Sequence, residues 1–234
     1  MKTRSRRYKE LEAARSEGQI SALPEAVEQV LELATANFSE TVECTVNLNI
    51  DPRQADQQVR SSIVLPAGTG QEVSVVVFAR GEKQREAQDA GADQVGAEDL
   101  IEKIEAGWFD FDAAIATPDM MADVGKLGPL LGPRGLMPNN KAGTVTFDVA
   151  ETVEKIKSGQ VELRNDSFGI IHTRIGTQEM SAEELLSNLK VVLRFVIEQR
   201  PSVVGRGQYI NSIVLATSMS PAVEVDPSTA WELD

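Results

Sequence analysis

Pro66-Ala67-Gly68-Thr69-Gly70-Gln71-Glu72-Val73-Ser74-Val75-Val76-Val77-Phe78-Ala79 is the stretch at which the chain changes character. Residues 66–70 combine proline and glycine and read as a linker. Residues 73–79 form an apolar run, the pattern of a strand covered on both faces. Upstream, residues 41–50 alternate strictly. Val42, Cys44, Val46, Leu48 and Ile50 point one way, and Glu43, Thr45, Asn47 and Asn49 the other. That pattern predicts a strand with one buried and one wet face. Before it, residues 24–35 predict a helix, with Pro24 in its first turn and Leu23, Val27, Val30, Leu31 and Ala34 on one face.

Downstream of the linker, helical stretches at 82–90 and 97–106 alternate with strand-like segments at 92–95 and 113–116, and residues 149–157 are helical again. Such alternation points to a parallel sheet. At Ser158-Gly159 the style reverts. Residues 161–163 and 170–175 flank a turn at 165–169, and a last strand is expected over 209–217. Between them Ser181 and Glu184 have capping-box spacing. They open a helix striped by Leu185, Leu186, Leu189, Val192, Leu193, Val196 and Ile197, which ends before Pro201. The expected fold is therefore mixed, α/β and α+β, in two domains. Both chain ends, 1–68 and 159–234, form an α+β sandwich, and 69–158 is an inserted α/β domain. Only two crossings join them, so relative motion is the default expectation.

The net charge is −13 in 234 residues, whereas a nucleic-acid binder usually carries a basic excess to neutralise phosphates. Only residues 1–15 are clearly basic, with Lys2, Arg4, Arg6, Arg7, Lys9 and Arg15 against Glu10 and Glu12. Charge does not separate the two domains, at −6 for the outer segments and −7 for the middle. The single cysteine, Cys44, excludes an internal disulfide and a Cys-based zinc cluster. Its place on the apolar face makes it a core residue. No apolar run is long enough for a membrane span, and residues 1–15 lack the apolar stretch of a secretory signal. A cytoplasmic protein is expected, without membrane contact.

Enzymatic readings find little support. The turn Ala79-Arg80-Gly81-Glu82-Lys83 has one glycine where a dinucleotide-binding turn has three. Gly125-Lys126 lacks the following Ser or Thr of a phosphate-binding loop. The only histidine, His172, falls in a predicted strand, where packing against a neighbour is its expected role, and no nucleophile-elbow context accompanies it. No enzyme activity, cofactor, catalytic residue or metal site is expected. The stretch Gly125-Lys126-Leu127-Gly128-Pro129-Leu130-Leu131-Gly132-Pro133-Arg134-Gly135-Leu136-Met137-Pro138-Asn139-Asn140-Lys141-Ala142-Gly143-Thr144 stands apart. Its prolines and glycines predict a long irregular loop of fixed path. Such loops are often functional, and this one displays Lys126, Arg134 and Lys141.

That loop resembles the signature of the bacterial ribosomal protein L-one family, the first protein of the large subunit. The resemblance extends through residues 33–38, Ile50-Asp51-Pro52-Arg53, 56–60, Val64-Leu65-Pro66, Phe111-Asp112, Ala116-Thr117-Pro118-Asp119, Arg164-Asn165-Asp166 and Gly169-Ile170-Ile171-His172. Only about ten C-terminal residues stay unassigned. It implies an α+β domain built from both chain ends, which grips large-subunit rRNA, and an inserted Rossmann-like domain. It also implies a place in the mobile stalk near the tRNA exit site, release of deacylated tRNA, and repression through the protein's own mRNA leader, with the protein a monomer within the ribosome.

Carried over by position, the rRNA surface would comprise Phe38, Thr41, Arg53, Arg60, Arg164, Asp166, Thr217, Ser218, Met219 and Ser220. Hydroxyls suit ribose 2′-OH groups, a ring or thioether packs on sugars and bases, and arginines bridge phosphates. Lys126, Arg134 and Lys141 would lie on the middle-domain loop. Asn37, Ser167 and Asn211 stand where the family usually has a cation, Asn140 where it has proline, and Ser220 where it has glycine. These departures and the acidic charge leave two readings open. One is a ribosomal protein of a salt-rich cytoplasm, where counterion release is weakened. The other is a diverged, non-ribosomal RNA-binding regulator.

Overall fold

A computed structural model describes residues 4–15, 20–54, 56–202 and 204–233. Lys2 of the basic N-terminal stretch lies outside them. The chain forms two compact units, Met1–Gln71 with Val161–Asp234, and Glu72–Gln160. The first opens with helices α1 (Arg6–Ala14) and α2 (Leu23–Glu32) and strands β1 (Thr41–Leu48) and β2 (Arg60–Val64). The second contains β3 (Val75–Phe78), α3 (Glu82–Asp89), β4 (Gln94–Gly96), α4 (Glu98–Glu105), β5 (Ala113–Ala116), α5 (Met121–Val124), α6 (Gly128–Leu131) and α7 (Val149–Lys157). The chain returns through β6 (Gln160–Arg164), β7 (Ile170–Thr177), α8 (Ala182–Glu198), β8 (Ile210–Thr217), β9 (Val223–Val225) and α9 (Pro227–Trp231).

In the first unit β7, β1, β8 and β9 make an antiparallel four-stranded sheet, in that order. The alternation of β1 decides which side is dry. Val42, Cys44, Val46 and Leu48 are buried, with Ile171 and Ile175 of β7 and Ile213 and Leu215 of β8. Helices α2, α8 and α9 supply Val27, Val30, Leu189, Val192, Val196 and Ala230 to the same core. The other face, carrying Glu43, Thr45, His172 and Arg174, is solvent-accessible. Helix α8 starts with the complete capping box: Ser181 Oγ accepts from the Glu184 amide and Glu184 Oε2 from the Ser181 amide. Such a cap stabilises by about 1 kcal/mol. A two-stranded ribbon of β2 and β6 completes the unit.

The second unit has a parallel sheet in the order β4, β3, β5. Successive residues of β3 serve opposite cores. Val76 and Phe78 pack with Leu100, Ile101 and Ile104 of α4 and with Met120, Val124, Leu127 and Leu131. Val75 and Val77 pack with Ala87 of α3 and Val149, Val153 and Ile156 of α7. Both faces of the apolar run are thus covered.

Two local expectations are corrected. Helix α2 ends at Glu32 rather than 35, and the Ala36 amide, which a continued helix would direct to the Glu32 carbonyl, donates to Glu40 Oε1 instead. The segment from Gly125 is not irregular throughout. It runs as a 3-10 turn over Gly125–Leu127, then α6, with a further 3-10 turn at Asn140–Ala142. Met120, Val124, Leu127 and Leu131 recur at helical spacing and are all fully buried, a stripe hidden among glycines and prolines. The C-terminal residues that the resemblance left unassigned include the end of β9 and α9. Strand β9 pairs with β8, Ser21 bridges to Val225, and Asp226 caps α9.

Candidate nucleic-acid interface

The loop before β1 and the loop after β8 meet at one end of the sheet. Phe38 and Met219 are about half exposed there, at 52% and 51%. A buried carboxylate lies beneath them. Glu40 has no exposed surface. Its Oε1 accepts from the Ala36 amide at 2.9 Å, and its Oε2 accepts from Thr217 Oγ1 at 2.7 Å and the Met219 amide at 2.8 Å. Burial pushes its carboxyl up. The hydrogen bonds from Thr217, Ala36 and Met219, with the Arg7 charge nearby, outweigh that and hold it below the ordinary glutamate value of 4.5.

Other bonds complete the junction. The Thr41 amide donates to Ser218 Oγ at 3.2 Å, and Arg7 reaches Thr35 Oγ1 and the Met219 carbonyl. Ser220 Oγ accepts from the Thr217 amide at 3.0 Å and donates to the Pro221 carbonyl. Its hydroxyl therefore closes the turn where the family pattern has glycine. Thr41, Thr217, Ser218, Met219 and Ser220 are thus joined by hydrogen bonds, and Phe38 lies two residues before Glu40 in the same loop. Asn37 is exposed beside Phe38.

The remaining expected residues of this unit lie elsewhere. Arg164 and Asp166 sit where β6 turns into β7, and the Leu48 amide, at the end of β1, donates to the Gly169 carbonyl at 3.0 Å. Thr41 and Leu48 are the two ends of the eight-residue β1, so the turn lies roughly 23 Å of extended chain from Thr41. Asp166 Oδ1 accepts from the Phe168 and Ile170 amides, and bonds from Ile170, Phe168 and Gly169 with the nearby His172 hold its pKa low. Gly169 has φ +80°, and a Cβ there would lie 3.0 Å from Ile50 Cγ1 and 3.1 Å from the Leu48 carbonyl. Arg60 pairs with Glu162 at 2.9 Å. Arg53 is exposed on the turn that its amide helps to close by donating to Asp51 Oδ1. Ser167 and Asn211 are exposed.

Along the open sheet face, His172 Nδ1 is 3.2 Å from Thr45 Oγ1 and Nε2 is 3.9 Å from Asp166 Oδ2. His172 thus has a cross-strand neighbour, but on the wet face. Glu40 and Arg7 were not legible as site residues. No sequence signal marks a carboxylate whose partners lie far along the chain.

In the second unit, Lys126 pairs with Asp123 at 2.9 Å. Arg134 stacks 3.8 Å from the centre of the Phe109 ring and donates to the Leu130 carbonyl. Lys141 lies on the 3-10 turn that the Asn139 side chain caps. Among the described residues, no group of three or more His, Cys, Asp or Glu is placed to hold a metal ion. Nor is any described helix long and apolar enough to cross a membrane.

Residues 30–221 match the family model described as the ribosomal protein L1p/L10e family. The matched span includes both loops around Glu40, the two-sided parallel sheet and the segment from Gly125. The chain therefore belongs to the ribosomal protein L1p/L10e family, whose members are RNA-binding proteins of the large ribosomal subunit rather than enzymes.

Proposed function

We propose that the protein grips large-subunit rRNA through the domain made of residues 1–68 and 159–234, with 69–158 as an inserted Rossmann-like domain. The observation that carries this is the Glu40 junction. It presents a ring, a thioether and the Thr41 and Ser218 hydroxyls over a hydrogen-bonded carboxylate, while the Thr217 hydroxyl is buried and spent on Glu40; ring, thioether and hydroxyls are the chemistry that packs on ribose and bases rather than only on phosphates. Phe38, Thr41, Thr217, Ser218, Met219 and Ser220 form the principal contact. Arg53, Arg60, Arg164 and Asp166 form a second contact at the far end of β1. The protein then acts in the mobile stalk near the tRNA exit site, assists release of deacylated tRNA, and represses its own mRNA by binding a similar structure in the leader. It works in the cytoplasm, as a monomer within the ribosome.

Cosedimentation with purified large subunits, over a range of salt, tests this reading. Retention in the subunit fraction, reduced by Phe38→Ala, is expected. The charge of −13 and the neutral residues Asn37, Ser167 and Asn211 favour one alternative, a diverged RNA-binding regulator outside the ribosome. That alternative predicts RNA binding without retention on the subunit at any salt.

A further inference from the structure

We propose that helix α1 is a phosphate-binding arm of the same interface, with Arg4, Arg6 and Lys9 meeting the backbone of the RNA that packs on Phe38 and Met219. This rests on the rRNA-binding reading above. Three observations lead to it.

The first is charge. Residues 1–15 hold six Lys or Arg against two Glu, in a chain whose net charge is −13. A strongly acidic protein that binds RNA must place its cations where the phosphates are.

The second is attachment. None of the residues of α1 is buried, yet the helix is pinned from one side. Arg7 donates to Thr35 Oγ1 and the Met219 carbonyl, Arg15 donates to the Ala222 carbonyl at 2.7 Å, and Leu11 packs on the core. Arg7 of the helix and Arg15 at its C-cap are thus anchors, attached to the loops that present Phe38 and Met219.

The third is the face left over. With Arg7, Leu11 and Arg15 turned inward, Arg4, Arg6 and Lys9 are exposed. Arg4 lies 4.1 Å over the Tyr8 ring, which orders its guanidinium without neutralising it. Glu10, at the midpoint of the helix one turn after Arg6, and Glu12, in its second half, are also exposed. The basic half lies at the N-terminal end, where the helix dipole adds to the attraction for an anion.

The arm supplies what the Glu40 junction lacks. Phe38, Thr41, Ser218 and Met219 carry no charge, and Asn37 beside them is neutral. Affinity would then divide between a salt-insensitive part, packing on bases and sugars, and a salt-sensitive part, located on α1.

The experiment uses the full chain and a large-subunit rRNA transcript trimmed to the segment the wild-type protein protects from nuclease. Binding is measured over a salt series for wild type, for Arg4→Ala/Arg6→Ala/Lys9→Ala together, and for Phe38→Ala. The triple variant changes only exposed side chains, so circular dichroism should match wild type. Its binding should fall roughly 10–100-fold at low salt, with the slope of log affinity on log salt shallower by about 2, as expected for three lost phosphate contacts. Phe38→Ala should weaken binding and leave the slope alone. An unchanged slope in the triple variant, with Phe38→Ala still weakening binding, would overturn the arm while sparing the rRNA reading. It would leave the basic face to a protein partner. If wild type protects no rRNA segment, both the arm and the rRNA reading fail.

Discussion

Thr217 Oγ1 donates to Glu40 Oε2 at 2.7 Å, joining positions 177 residues apart in the chain. The same oxygen takes the Met219 amide, and its twin takes the Ala36 amide, so one carboxylate fixes two loops. Its pKa is lowered in the folded protein. Its contribution to stability is therefore complete above the unfolded value and is lost as pH falls through the folded one. Glu40→Gln replaces one acceptor with a donor in a site built of donors. It should cost roughly 1–3 kcal/mol at neutral pH. Urea unfolding at pH 7 and again below the folded pKa checks this: the gap between wild type and variant should narrow in acid. A gap independent of pH would show that the charge is not what holds the loops.

Much of the first unit was legible because its signals are local. The alternation of residues 41–50 placed Val42, Cys44, Val46 and Leu48 on the buried side, and Ser181 with Glu184 marked the start of α8. The apolar run at 73–79 required cover on both faces, which α3 and α7 on one side and α4 on the other provide. What escaped depends on contacts distant in sequence. Glu40 reads as an ordinary surface residue before a strand. The helical stripe Met120, Val124, Leu127, Leu131 is masked by residues of poor helix propensity. The expected site residues also gave no hint that β1 holds Phe38 and Asp166 at opposite ends of a strand.

Burial at Cys44 pushes its thiol up to about 12, and the residue has no exposed surface. The thiolate, the reactive form, is then scarce in the native state. Labelling by a thiol reagent in native buffer should track the unfolded fraction and become rapid in urea. Rapid labelling of the folded protein would contradict the placement of Cys44 in the core.

Asn188 is fully buried on α8 and answers three backbone groups. Its Oδ1 accepts from the Ala67 amide at 3.0 Å, and its Nδ2 donates to the Gly68 and Ile175 carbonyls at 2.8 Å each. Asn188→Leu fills similar volume but leaves these groups unpaired. A loss of about 2–4 kcal/mol is expected in denaturant unfolding, since orphaned buried polar groups bear their full desolvation cost. A change within the error of the measurement would mean that water replaces the side chain.

Arg134 stands against Phe38 and Met219 as the competing candidate for the RNA contact. Net charge does not choose between the units, at −6 for the outer segments and −7 for the middle, and the loop bearing Lys126, Arg134 and Lys141 would by its cations favour the middle. The geometry argues otherwise. The Arg134 guanidinium lies on the Phe109 ring and donates to the Leu130 carbonyl, so it is engaged within its own unit. Phe38 and Met219 are the opposite case, half exposed, with the Met219 amide held by Glu40. Phe38→Ala or Met219→Ala should weaken rRNA binding by roughly 1–3 kcal/mol, the cost of losing a packed ring or thioether from a binding surface. Both should leave stability nearly unchanged, since neither side chain fills the core. Arg134→Ala should leave rRNA affinity unchanged and lower stability by about 0.5–1 kcal/mol through the lost ring contact. Filter binding to the nuclease-protected rRNA segment, alongside thermal unfolding of each variant, separates the two effects. If Arg134→Ala abolished binding while Phe38→Ala and Met219→Ala left it intact, the RNA site would have to move to the second unit.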